Sequence, residues 1–168
     1  MLYLKALNPA DARKEYDFLQ QMPSENGFMN PYHGISYEEF CTVSIPRRLA
    51  ASRGEELAPG HVPDTYYFLW NDDEIVGQFK LRPVLNDFLR NGSGHVGYGI
   101  HPAHRRKGYA AEGLRLTIEL LKSLPEFQDS EVYLSCHLSN EGSLKTMLRN
   151  GGYIHHSDSE EHYVRIPV

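Results

Sequence analysis

The stretch from His95 to Leu124 constrains this chain more than any other. A strand-forming run, His95 to Ile100, passes through a short basic turn into a long amphipathic helix from about Lys107 to Leu124, which Pro125 closes. A further strand follows at Val132 to His137, then a helix from Asn140 to Asn150 with Gly151-Gly152 as its stop, then a pair of strands between Tyr153 and Ile166. A strand joined through a helix to the next strand lays the two side by side and parallel, because a hairpin cannot connect them. Two such crossovers imply neighbouring parallel strands in an otherwise antiparallel sheet.

The first half supplies the rest of that sheet. Met1 to Ala6 reads as a strand, and Asn8-Pro9 as the cap and first position of a helix through about Gln21. Ser36-Tyr37-Glu38-Glu39 has the spacing of a capping box and opens a helix that ends near Gly54, while Glu55 to Pro63 reads as a long loop. Tyr66 to Trp70 and Ile75 to Leu81 flank the polar turn Asn71 to Glu74, a hairpin whose aromatic run has the spacing of core. The order β–α–α–β–β–β–α–β–α–β–β predicts a mixed α/β fold, a mostly antiparallel sheet flanked by helices, within one domain spanning residues 1–168.

Composition removes several partner classes. Seventeen Lys and Arg against 22 Asp and Glu leave a net charge of −5, which argues against a nucleic acid as principal partner. No apolar stretch is long enough to span a bilayer and the N-terminus lacks a signal-peptide pattern, so a cytoplasmic location is expected and a membrane role is not. Cys41 and Cys136 are too few for a disulfide framework and read as small buried hydrophobes. The sequence is compatible with a homodimer without specifying one.

Within this acidic chain, basic residues gather in His101-Pro102-Ala103-His104-Arg105-Arg106-Lys107-Gly108-Tyr109-Ala110, between a strand and a helix start. Unpaired amides and a partial positive charge at a helix N-terminus make an anion site, and phosphate is the obvious anion. Gly108 and Ala110 allow close approach of backbone, and Arg105, Arg106 and Lys107 add charge. The plainer reading is a solvated basic loop with a tight turn. Gly97-x-Gly99 lacks the third glycine of a dinucleotide fingerprint, and no glycine-rich loop ends in Gly-Lys-Ser/Thr, so the nucleotide folds fit less well.

Arg105-x-x-Gly108-x-Ala110 resembles the acetyl-CoA motif of the GCN5-related N-acetyltransferase (GNAT) family, which reads Arg or Gln, two residues, Gly, one residue, then Gly or Ala. Gly97 to Pro102 is similar to the family's fourth strand, and Asn140-x-x-Ser143 followed by Asn150 to Tyr153 to its last conserved helix and the next strand. The resemblance implies a sheet with one splayed parallel strand pair and acetyl-CoA as co-substrate. It also implies transfer of acetyl to a primary amine, on a small molecule or peptide, by direct attack in a ternary complex. Amides from Arg106 to Ala110, Lys107 and Tyr109 included, would then hold the CoA pyrophosphate. Pantetheine would lie between strands 95–100 and 132–137, and Asn140 and Ser143 would touch the cofactor arm.

For the chemistry, the resemblance makes the Ile100 amide the donor to the thioester carbonyl. His95 stands where several relatives carry a strand glutamate and is the candidate base, with Tyr98 in reserve. Many members use a tyrosine of the last helix as the acid that protonates the departing thiolate, and Leu148 occupies the corresponding place. Arg82, Asn86 and Asp87 are the candidates for acceptor binding. His155, His156 and His162, near Asp158, Glu160 and Glu161, lie in a hairpin turn where polar residues belong without a metal, so no metal site is assigned. Loss of the acid leaves open a non-catalytic CoA-binding or regulatory domain, and the helix terminus leaves open a nucleotide-binding protein.

Overall fold

The computed structural model describes residues 1–168. Strands β1 (Leu2–Ala6), β2 (Thr65–Asn71), β3 (Glu74–Leu81) and β4 (Val96–Ile100) form a four-stranded antiparallel sheet in that order. Strands β5 (Glu131–His137), β6 (Tyr153–Ser157) and β7 (Glu161–Pro167) form a second antiparallel sheet in the order β5-β7-β6. Six helices are α1 (Ala12–Gln21), α2 (Tyr37–Glu39), α3 (Ile45–Ser52), α4 (Asp87–Arg90), α5 (Tyr109–Ser123) and α6 (Glu141–Arg149). The mixed α/β architecture is the one the element order predicts. Each face of the first sheet carries its own core: Leu69, Phe79 and Ile100 pack under α5, and Phe68, Trp70 and Tyr66 pack under α1 and the second helical segment.

Local chemistry explains most element ends. Asn8 accepts the Asp11 amide at 3.1 Å, and Ser36 Oγ accepts the Glu39 amide at 3.0 Å. The helix predicted as continuous from Ser36 to Gly54 is interrupted by a π turn over Phe40–Ser44 before Pro46. A proline has no amide to give its i−4 carbonyl, and the wider turn absorbs the lost bond.

Parallel neighbours differ from the simplest expectation. The crossover through α6 does not make β5 and β6 adjacent, because β7 inserts between them and pairs antiparallel with both. The crossover through α5 brings β4 and β5 together at one place only. A single bridge joins Gly94 and Leu134, and the His95 amide donates to the Tyr133 carbonyl at 2.7 Å. That bridge is antiparallel in its bonding pattern, and pairing stops beyond it; Gly99 near the end of β4 lies against Phe28 and His137 at the end of β5 against Gly27, so both strands lead to the same segment and the splayed pair is joined at its base.

His95 makes that base. Its backbone amide and carbonyl are both paired, with Tyr133 and Arg82, and Nδ1 accepts the Tyr133 amide at 2.9 Å. Nε2 therefore carries the proton and faces Asp129 Oδ2 at 3.0 Å, while Arg90 grips the same carboxylate at 2.9 and 3.3 Å. Gly94, at φ +71°, permits the approach: a Cβ there would stand 2.1 Å from the Tyr133 carbonyl oxygen. Burial pulls the His95 pKa down to about 4, against the opposing pull of the Asp129 hydrogen bond.

Because the unfolded imidazole titrates near its ordinary value, His95 adds stability that is complete above about pH 6.5 and lost as pH falls through about 4. His95→Leu strands the Tyr133 amide and weakens the hold on Asp129, and should cost about 2–4 kcal/mol at pH 7. Equilibrium unfolding from pH 7 to 4 should show a shallower acid slope in the variant than in the parent, and an equal slope would contradict the assignment.

Candidate active site

Beyond the point where β4 and β5 part, a cavity of about 500 Å³ opens among the end of β4, the start of α5, one side of α6 and the segment 22–28. Ladder parity decides what lines the gap. In the β3–β4 ladder the His101 amide donates to the Val76 carbonyl at 2.9 Å and the Arg82 amide to the His95 carbonyl at 2.8 Å. Alternation then points the amides of Tyr98 and Ile100 away from β3 and into the gap. On the other side, the Leu138 amide donates to Glu160 of the β7 side, which turns the backbone of Ser135 and His137 toward β4. The Ile100 carbonyl accepts Arg105 Nε at 3.0 Å, and the Ile100 amide has no protein acceptor.

The helix start continues this donor surface. The amides of Arg106, Lys107, Gly108, Tyr109, Ala110 and Ala111 donate to no protein acceptor, and no side chain caps α5. Gly108 sits at φ +81° and lines the cavity, and a Cβ built on it meets nothing within 4 Å, so that space belongs to the cavity. Arg106 is also left-handed at φ 62°, which turns successive amides to one side. Arg106, Lys145 and Arg149 line the cavity with a single acidic residue, Glu25, and Glu25 is paired with Arg105. Six free amides, the positive end of a 15-residue helix and three cations fit a pyrophosphate with a further phosphate nearby.

Tyr98 and Ser143 close the inner wall. Tyr98 is stacked on Phe79 with ring centroids 5.3 Å apart, and its hydroxyl meets Ser143 Oγ at 2.8 Å. Burial pushes the phenol well above its ordinary pKa, so it is protonated throughout the physiological range. Asn140 Oδ1 caps α6 by accepting the Ser143 amide at 3.2 Å, and both residues line the cavity.

A model of the GNAT acetyltransferase domain matches residues 2–152. The chain belongs to the GNAT acetyltransferase family. A probable N-acetyltransferase of Bacillus subtilis (strain 168), YjcK, is 22% identical over 151 residues, 89% of this chain and 79% of its own length. An uncharacterized N-acetyltransferase of the same organism, YjdG, is 30% identical over 105 residues, 61% of this chain and 60% of its own. A probable acetyltransferase of known structure superposes with a TM-score of 0.73 at 17% identity, covering 99% of this chain and 92% of that one. RimL, a ribosomal alpha-N-protein acetyltransferase solved with coenzyme A, gives 0.67 at 14%, covering 98% and 90%.

Several site residues read from the sequence stand elsewhere in this GNAT fold. His95 is wholly buried at the base of the splay with both ring nitrogens engaged, and it does not line the cavity. Arg82 donates to the Gly94 carbonyl at 3.0 Å, and Asn86 caps α4 and donates to the Gly60 carbonyl at 2.7 Å. Asp87 begins α4, and none of the three lines the cavity. Arg105 lines it, but its guanidinium is spent on Ile100 and Glu25, which makes it a positioning residue. Lys107 lies outside the lining, and Tyr109 contributes its amide while its hydroxyl accepts from Asn71 at 3.3 Å. Leu148 is 42% exposed and outside the cavity; Gly142, Ser143, Lys145, Thr146 and Arg149 are the α6 residues that reach it. Of the histidine turn, His155 and His156 meet each other and His162 meets Ser157 Oγ at 2.7 Å.

The sequence reading missed the strap Pro23–Phe28, whose residues Pro23, Glu25 and Phe28 cover the cavity, and the pair Lys145 and Arg149. The i, i+4 spacing of that pair beside Asn140 was the available signal. Gly108→Ala tests the amide surface. The methyl group enters the cavity and the left-handed backbone costs about 1–2 kcal/mol of stability. CoA affinity, measured by calorimetry, should fall at every ionic strength, whereas Arg106→Ala should weaken it modestly and flatten its salt dependence. Unchanged affinity in folded Gly108→Ala protein would contradict the cradle.

Proposed function

We propose that this GNAT protein transfers acetyl from acetyl-CoA to a primary amine by direct attack in a ternary complex. The observation that carries the reading is the continuous run of unpaired amides from the β4 gap to the first turn of α5. In this reading the amides of Arg106 to Ala111 bind the pyrophosphate, and Arg106, Lys145 and Arg149 complement the remaining phosphate charge. Pantetheine enters the gap, and its amides meet the backbone of Tyr98, Ser135 and His137. The Ile100 amide then donates to the thioester oxygen, where negative charge develops as the amine attacks, a contribution of about 2.7–4 kcal/mol where such a donor has been removed.

The thiolate that leaves needs a proton. Tyr98 is the candidate acid: the residue lines the cavity, burial keeps its phenol protonated, and Ser143 Oγ orients the hydroxyl at 2.8 Å. His95 takes no part, and the acceptor amine loses its proton through water or to a group of its own. The tyrosine that many relatives carry on the last helix is replaced here by one on the neighbouring strand.

Tyr98→Phe keeps the ring stacked on Phe79 and removes only the hydroxyl, and should lower turnover about 10²-fold with acetyl-CoA affinity nearly unchanged. A loss below threefold would return Tyr98 to packing. Thermal unfolding tests the cofactor itself. Acetyl-CoA at about 100 times its Kd should add about 2.7 kcal/mol and a clear rise in Tm, and a shift with ATP or NAD but none with CoA would overturn the reading.

A further inference from the structure

On the face of the sheet away from α5, three cations converge beside β4, in a chain whose net charge is −5. Register aligns Tyr66 of β2, Lys80 of β3 and Gly97 of β4 in one row, so their side-chain directions share a face. Lys80 Nζ stands 3.1 Å from Asp64, and Arg48 of α3 pairs with the same carboxylate while its guanidinium lies 4.0 Å over the Tyr66 ring. Arg82, two residues beyond Lys80, is half-buried and spends one nitrogen on the Gly94 carbonyl. One carboxylate thus serves Arg48 and Lys80 together, and Arg82 has none. Burial, with Arg82 and Arg48 close by, pulls the Lys80 pKa down to about 8, as befits a cation short of negative charge.

Space for a ligand lies directly beside this cluster. A Cβ built on Gly97 meets nothing within 4 Å, whereas Gly99, one step nearer the gap on the same face, is roofed by Phe28 and Met22. Lys80 keeps about a third of its side chain exposed, at 32%. Along β4, Gly97 is three residues from Ile100, about 10 Å at strand spacing.

We propose that Lys80, supported by Arg48 and Arg82, selects acceptor amines that carry an anionic group about 10 Å from the amine. This rests on the transferase reading above. The attacking amine lies at the Ile100 end of the gap, its carbon chain skirts the Phe28 and Met22 roof over Gly99 along the unpaired edge of β4 to the open space at Gly97, and its carboxylate meets the Lys80 ammonium. A second cationic group at that end of the acceptor would face three positive charges balanced by the single Asp64 carboxylate, so polyamines are disfavoured by the same contacts that favour anionic amines.

The test uses three acceptors of one length: 8-aminooctanoate, its primary amide and 1,8-diaminooctane, each assayed by CoA thiol release. The carboxylate should be preferred over the amide by about tenfold or more in kcat/KM, with the diamine poorest, as a charge-assisted hydrogen bond requires. Lys80→Gln should collapse the carboxylate-to-amide ratio to below threefold through KM, and Lys80→Arg should restore most of it. The acetyl-CoA thermal shift reports whether each variant is folded. A diamine or amide used as well as the carboxylate overturns this inference alone. No transfer to any of the three, with acetyl-CoA still bound, overturns the transferase reading and the inference with it.

Discussion

The fold turns on the joint between β4 and β5. Seven strands could close into one continuous sheet, and then no gap would exist to admit a cofactor. Instead the two sheets touch at Gly94–His95 and Tyr133–Leu134 and separate beyond that point. His95 supplies the joint with one backbone donor, one backbone acceptor and two ring nitrogens, and the Arg90–Asp129 pair backs it. A polar side chain this deep is destabilising unless every hydrogen-bonding position is met, and here each one is. The consequence appears about 10 Å away, where strand amides that an adjoining strand would have paired face open space instead.

The donors in that space cost nothing to reorganise. Strand amides and helix-terminal amides are fixed by the ladders and turns that flank them, so they present partial positive charge in set directions before any ligand arrives. Side-chain charge adds to this in a less directed way. Arg105 is instructive: the arginine at the first position of the motif holds the end of β4 to the strap through Ile100 and Glu25, and Arg106 is the arginine free to meet an anion.

Much of this was legible in the sequence because it depends on local chemistry. The turn Arg105 to Ala110, its position between a strand and a helix, the hairpin of β2 and β3, and the caps Asn8, Ser36 and Asn140 all act within a few residues of themselves. The insertion of β7 between β5 and β6 was not legible, since it is decided by pairing at long range. Polar residues misled for a related reason. His95 and Asn86 resembled catalytic or acceptor groups, yet His95 spends its ring on the Tyr133 amide and the Asp129 carboxylate, and Asn86 on the Leu89 amide and the Gly60 carbonyl, all partners that the fold supplies. Tyr98 was recognised as a candidate, but its partner Ser143 lies 45 residues away and only the fold joins them.

On the proposed reading, backbone amides rather than side-chain charge hold most of the CoA pyrophosphate. Amide-resolved NMR during titration with CoA measures this directly. The resonances of Arg106 to Ala111 should shift together and furthest, their hydrogen exchange should slow, and acetyl-CoA should add a shift at Ile100 that CoA alone does not produce. Binding with these amides unmoved, and with changes confined to the side chains of Arg106, Lys145 and Arg149, would contradict it.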